Sequence, residues 1–215
     1  MNSTACNELI GGSLRKLALF APVFGLLFFA QFASAQQADI MVGGSTLLSS
    51  NYATNLVNPG PISEKGGFYP SISGDVIGFK RRVGFNFEVT WRGSKGAYGG
   101  PGGQPYRPII YDFNAMYQPK LGKKLGADLM AGIGAQSTRF YGFTNSSSCV
   151  YFGACFVSSN HFLVDIGGGV RYYVWRHVFV RPEAHFYHIV NNTNDFNSNN
   201  VARVGASIGY TIGPD

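Results

Sequence analysis

Apolar and polar residues alternate one by one along much of the chain. Val83, Phe85, Phe87, Val89 and Trp91 are interleaved with Gly84, Asn86, Glu88, Thr90 and Arg92. Tyr111, Phe113, Ala115 and Tyr117 alternate with Asp112, Asn114, Met116 and Gln118. Ala127, Leu129, Ala131, Ile133 and Ala135 oppose Asp128, Gly132, Gly134 and Gln136. Phe162, Val164, Ile166, Val170 and Tyr172 oppose Asp165, Gly167, Gly169 and Arg171. A period of two is the geometry of a strand whose two faces meet different surroundings. Four less regular segments complete a set of eight predicted strands. They are residues 38–48 with Asp39, 68–79 with Asp75, 178–189 and 201–212. In 178–189 Arg181, Glu183 and His185 share one side, and Pro182 removes a ladder donor, which predicts a local bulge. In 201–212 Arg203, Gly205, Ser207 and Gly209 lie opposite Val204, Ile208 and Tyr210.

The connections alternate in length. Segments 49–67, 93–107, 141–160 and 190–200 are long and polar or glycine-rich, whereas 80–82, 119–124 and 174–177 are short. That rhythm predicts up-and-down antiparallel strands with all long loops at one end, the layout of an outer-membrane barrel. The fold class expected is all-β, an eight-stranded antiparallel up-and-down transmembrane β-barrel.

A soluble periplasmic lipocalin-like ligand-binding barrel also alternates, with its apolar face inside. Three features favour the opposite orientation. All seven lysines fall outside the predicted strands, at 16, 65, 80, 95, 120, 123 and 124. The polar face mixes both signs, Asp39, Asp75, Glu88, Asp112, Asp128, Asp165 and Glu183 with Arg92, Arg171, Arg181 and Arg203, a set that can pair in a narrow lumen. Trp91, Tyr111, Tyr117, Phe140, Tyr172, Trp175 and Tyr210 sit near strand ends, as interfacial girdles do. Eight strands enclose a space that side chains can fill, so little or no conductance is expected.

Composition agrees. Only 13% of residues are charged, about half the usual ~25%, while 15% are aromatic, which excludes a disordered chain. At the N-terminus Arg15 and Lys16 precede an apolar run from Leu17 to Phe29 and the small-x-small site Ala33-Ser34-Ala35. This reads as a cleaved signal peptide, residues 1–35, leaving a barrel domain of residues 36–215. The run is shorter than the ~20 residues a membrane helix needs. Removing Glu8, Arg15 and Lys16 changes the formal charge from +6 to +5. The tight basic clusters, Lys80-Arg81-Arg82 and Lys120 with Lys123-Lys124, lie in short turns, which argues against nucleic acid as a partner.

The leader, the eight alternating strands and the long-loop, short-turn rhythm together resemble the small outer-membrane barrels of the OmpA/OmpX type, in the broad porin-like superfamily. The resemblance spans 36–215. It implies outer-membrane localisation in a Gram-negative cell envelope, with outer-membrane lipid and the barrel-assembly machinery as partners and host or surface ligands met through the long loops. It implies a monomeric, non-enzymatic protein with a structural, adhesion or surface-recognition role. The last strand resembles the assembly signal of such barrels at Arg203, Gly205, Ile208 and Tyr210, although the chain continues through Thr211 to Asp215 rather than ending on an aromatic.

Candidate chemistry is sparse, and no cofactor, metal or catalytic set is expected. Cys149 and Cys155 flank five residues of the third long loop, and in an exported protein such a pair is expected to form a disulfide; the alternative, a metal pair, finds only His161 and no carboxylate nearby in the sequence. His161, His185 and His188 invite comparison with lipid-modifying barrel enzymes of the deacylase type. Ser158 or Ser159, His161 or His185, and Glu183 could be assembled into a hydrolase, but no spacing motif marks them, and rim histidines are expected. The glycine-rich 93–103 joins no strand to a helix, so it lacks the context of a phosphate-cradling loop.

Overall fold

The computed structural model describes residues 37–50, 62–64, 66–79, 82–98, 103–142 and 156–213. The leader with Ala33 and Ala35, and the Cys149 and Cys155 positions, lie outside the described residues.

The strands run β1 (Gln37–Ser49), β2 (Tyr69–Phe79), β3 (Val83–Trp91), β4 (Gly96–Tyr98), β5 (Gln104–Tyr117), β6 (Leu125–Tyr141), β7 (Phe156–Trp175), β8 (Val178–Ile189) and β9 (Asn200–Ile212). Neighbours in the order β3-β2-β1-β9-β8-β7-β6-β5 pair antiparallel, and β3 also pairs β5, closing an eight-stave barrel. Closure leaves no stave with an open edge, as a sheet in lipid requires. β4 is not a stave. Its three residues form a hairpin with the start of β5, Gly96 opposite Tyr106 and Tyr98 opposite Gln104.

Two segments expected as loops are therefore partly strand. Within the 93–107 connection Gly96–Tyr98 pairs with 104–106, and Phe156–Asn160 belongs to β7. β6 and β7 are 17 and 20 residues long, well beyond the ~9–11 that cross a bilayer, so they rise past it at the long-loop end. Pro182 causes no bulge. Its register with Ala206 of β9 is unbroken, and on the β7 side the pairing simply lapses between Glu183 and Val180 before resuming unshifted. A proline at that position deletes one rung without inserting a residue. The register shifts lie instead at Ile77/Phe79 and Tyr173/Trp175.

Burial divides every stave by parity. Along β3 Val83, Phe85 and Phe87 are exposed while Gly84, Asn86 and Glu88 are buried. Outward residues form an apolar belt, with Ile40 58%, Phe113 45%, Ile166 64% and Ile208 58% exposed, and Phe85 stacks on Phe113 at 5.6 Å. Among the described residues the only arginine or histidine side chains on outward stave positions are Arg107, Arg139 and His188, all towards the long-loop end. A lipocalin-like arrangement, with the apolar face inside, is the reverse of this. Phe140 departs from the girdle expected for it: it packs with Tyr98, Tyr106 and Phe196 at the long-loop mouth.

Glycines let the staves coil tightly. A Cβ on Gly134 would stand 2.0 Å from the Tyr111 carbonyl oxygen, and one on Gly167 would stand 2.4 Å from the His185 ring.

Candidate functional site

The interior holds most of the chemistry. Asp39, Asp75, Glu88, Asp112, Asp128, Asp165 and Glu183 face Arg171, Arg181 and Arg203, each 7% exposed or less. Towards the short-turn end Arg171 binds Asp39 and places Nη2 2.8 Å from Asp75 and 3.1 Å from Asp128. Arg181 sits one layer up, with Nη1 3.2 Å from Asp75 and Nε 2.8 Å from Glu183. Arg203 grips Glu88 with both terminal nitrogens, at 2.7 and 2.6 Å, and reaches Glu183 at 3.3 Å and Thr90 at 2.5 Å. Alternate residues of one stave thus span successive layers, which is how Arg181, Glu183 and His185 each find a different partner. Amides complete the layers: Asn86 donates to Asp75 at 2.6 Å, Asn114 to Asp112 at 3.1 Å and Gln118 to Asp128 at 3.2 Å.

Arg92 is the member that the structure does not bring into these layers. It is half-buried just past β3, with its guanidinium 5.1 Å over the Tyr106 ring and Nη1 donating to the Tyr106 hydroxyl at 2.6 Å. His185 corrects a rim expectation. It is 2% exposed inside the barrel, with Nδ1 2.9 Å from Asp165. The amides Asn86, Asn114 and Gln118 lie on the polar face that the alternation assigns them, whereas Tyr187, which donates to Asp112 at 3.3 Å, went unnoticed in the sequence, where only its inward parity could have flagged it.

Among the described residues, parts of three connections cover the long-loop mouth. Glu64, on the β1–β2 connection, is wholly buried and accepts hydrogen bonds from Gln136 at 3.1 Å and Asn192 at 3.3 Å. The Asn197 amide donates to the Ile62 carbonyl at 3.1 Å, and the Tyr98 hydroxyl donates to the Asp195 carbonyl, tying the β8–β9 connection to the other two. Phe196 wedges between Tyr98 at 6.0 Å and Tyr106 at 5.4 Å.

Burial pushes the Glu64 carboxyl up to about 7, against its amide donors and the nearby positive charge of Arg92. The folded carboxyl therefore holds its proton where the unfolded one has lost it. The cap is expected to be firmest below pH ~4.5, to lose stability as pH rises towards about 7, and to change little above, by on the order of 3 kcal/mol in all. Proteolysis of the β1–β2 connection followed from pH 4 to 9 checks this, and Glu64→Gln should flatten the profile.

His161 gathers a hydroxyl and a carboxylate, but not as a relay. Ser159 Oγ lies 3.0 Å and Asp195 Oδ2 2.9 Å from the same ring nitrogen, Nε2, while Nδ1 faces the Val190 carbonyl at 3.1 Å. Base catalysis by histidine needs the hydroxyl and carboxylate on opposite nitrogens. The hydrolase set considered from the sequence also fails, since Glu183 and the alternative base His185 lie deep in the barrel, away from the serines at the long-loop end of β7. His188, on the outside, bonds Asn200 at 2.8 Å. Glu88, Glu183 and His185 come within 4.8 Å of one another, a spacing that could hold a metal. All four carboxylate oxygens, however, already face donors of Arg203 or Arg181, so guanidinium groups take the cation's place.

No protein-family model matches the chain, and no curated protein matches it. Solved structures do. Neisserial surface protein A matches with a TM-score of 0.54 and 16% identity, over 81% of this chain and 95% of its own. The N-terminal barrel domain of Pseudomonas aeruginosa OprF matches at 0.53 and 12% identity, over 83% and 98%. Ail, the attachment invasion locus protein of Yersinia pestis, matches at 0.51 and 12%, over 83% and 99%. The chain has the fold of the small outer-membrane β-barrels.

Proposed function

We propose that the protein is an integral outer-membrane barrel that presents its long loops outward for attachment or surface recognition, and is neither a pore nor an enzyme. The carrying observation is the inverted distribution: apolar side chains around the outside, and seven carboxylates and three arginines within. An exposed apolar surface of that extent is expected to meet lipid rather than water. In this reading residues 1–35 are a leader removed after Ala35, and assembly machinery reads β9 through Arg203, Gly205, Ile208 and Tyr210. Cys149 and Cys155 form a disulfide that stiffens the third outer loop, and the closed barrel works as a monomer. The attachment role is supported by the likeness to Ail, which has also been crystallised with the heparin analogue sucrose octasulfate.

Two measurements test this. Folded protein in a planar bilayer is expected to give no discrete conductance steps, because ion-paired layers and the loop cap block the axis; steady steps would contradict a filled interior. Cells displaying the chain should adhere to an immobilised sulfated glycan and lose that adhesion when 50–62 and 142–156 are replaced by short turns. Adhesion unchanged by the replacement, or absent from the start, counts against the attachment role.

A further inference from the structure

The short-turn end carries a second, separate feature. A cavity of about 670 Å³ opens there, a size usual for small-ligand sites. Among the described residues its wall includes Lys120, Lys123, Lys124, Arg176, His177 and Trp175, and no carboxylate. Two hairpin turns lie side by side to make it: the Tyr173 amide donates to the Lys124 carbonyl at 2.9 Å, and the Thr211 amide of β9 holds the second turn by donating to the His177 carbonyl at 2.8 Å. Among the described residues, the acids Asp39 and Asp128 towards this end are already held by Arg171. Lys120, Lys123, Lys124 and Arg176 therefore meet no carboxylate among the described residues. Solvated turns usually mix both signs, whereas here positive charge converges on one concavity. Arg82 adds to the same end, its carbonyl accepting from the Gln118 amide at 2.6 Å.

We propose that this cavity binds a phosphate-bearing anion, the headgroup of an anionic phospholipid in the inner leaflet. The cations supply the phosphate chemistry. The lipid source is argued from the rim, where Trp175, Leu121 and Val174 are 75%, 60% and 58% exposed beside the lysines, placing apolar anchors where acyl chains begin. Basic residues close to a membrane surface attract anionic lipid, and their contributions accumulate. The lipid source rests on the membrane-spanning reading above; the anion site does not.

The test uses the full chain folded in zwitterionic detergent, with heat-dependent electrophoretic mobility as an independent sign that the barrel has formed. Tryptophan fluorescence, in which Trp175 reports from the cavity wall, follows titration with inorganic phosphate, short-chain phosphatidylglycerol and short-chain phosphatidylcholine. Phosphatidylglycerol should bind and phosphatidylcholine should not. Lys120→Gln, Lys123→Gln and Lys124→Gln together should weaken phosphatidylglycerol binding about a hundredfold while the mobility shift is kept. Arg176→Gln, on the other turn, should weaken it about fivefold on the same scale, and serves if the triple variant does not fold. Phosphate bound without phosphatidylglycerol overturns the lipid source. Equal binding of both lipids, binding unchanged in the variants, or binding of neither anion overturns the site. Loss of the mobility shift in the unsubstituted chain would instead defeat the membrane-spanning reading.

Discussion

Replacing Arg203 with leucine is expected to destabilise the barrel by about 3–5 kcal/mol, the cost of leaving a buried charge without its partner. Arg203 is fully buried and holds Glu88 at 2.7 and 2.6 Å, Glu183 at 3.3 Å and Thr90 at 2.5 Å. No neighbour can take over, because seven interior carboxylates share three arginines and His185, and Arg181 is already committed to Asp75 and Glu183. Urea unfolding of the reconstituted protein, read by the loss of the heat-dependent mobility shift, measures the change. Combining Arg203→Leu with Glu88→Gln and Glu183→Gln should recover most of the loss, since the unpaired charges are then gone. A loss below ~1 kcal/mol, or no recovery in the triple variant, would show that Arg203 does not organise this layer.

The second large effect lies on the other face. Ile166 is 64% exposed at mid-stave, opposite Ala131 on one side and Phe186 on the other. Ile166→Arg should cost about 2–4 kcal/mol if that position meets the bilayer midplane. Val157 is still more exposed, at 73%, but lies at the long-loop end of β7, and Val157→Arg should cost only about 0–1 kcal/mol. In water the order would not hold, and both changes would be nearly neutral. The difference between the two variants, measured in the same bilayer, therefore reports depth rather than exposure.

The staves were legible because the two faces of each meet opposite solvents, so parity alone separates Phe85 and Phe87 from Asn86 and Glu88. The signal fades where both faces meet water. Ser158, Ser159 and Asn160 extend β7 beyond the belt with no alternation to reveal it, and Gly99–Gly103 with Pro105 and Pro108 look like chain breakers. Yet Pro105 pairs with Ala97 and Pro108 with Thr138, because strand ends above the bilayer tolerate a missing donor. Partners across the lumen are hidden for another reason. Parity placed His185 with Arg181 and Glu183, but its depth depends on the register against Gly167. Glu64 has no local periodicity at all. Its partners Gln136 and Asn192 lie 72 and 128 residues away and meet it only after the barrel closes.

The most direct test of the inverted barrel is fractionation of cells expressing the full chain, followed by electrophoresis of heated and unheated samples. The account predicts recovery in the outer membrane and a band that changes mobility on heating, because a closed barrel in detergent stays compact until boiled. Recovery in the soluble periplasmic fraction, with identical mobility before and after heating, would contradict it.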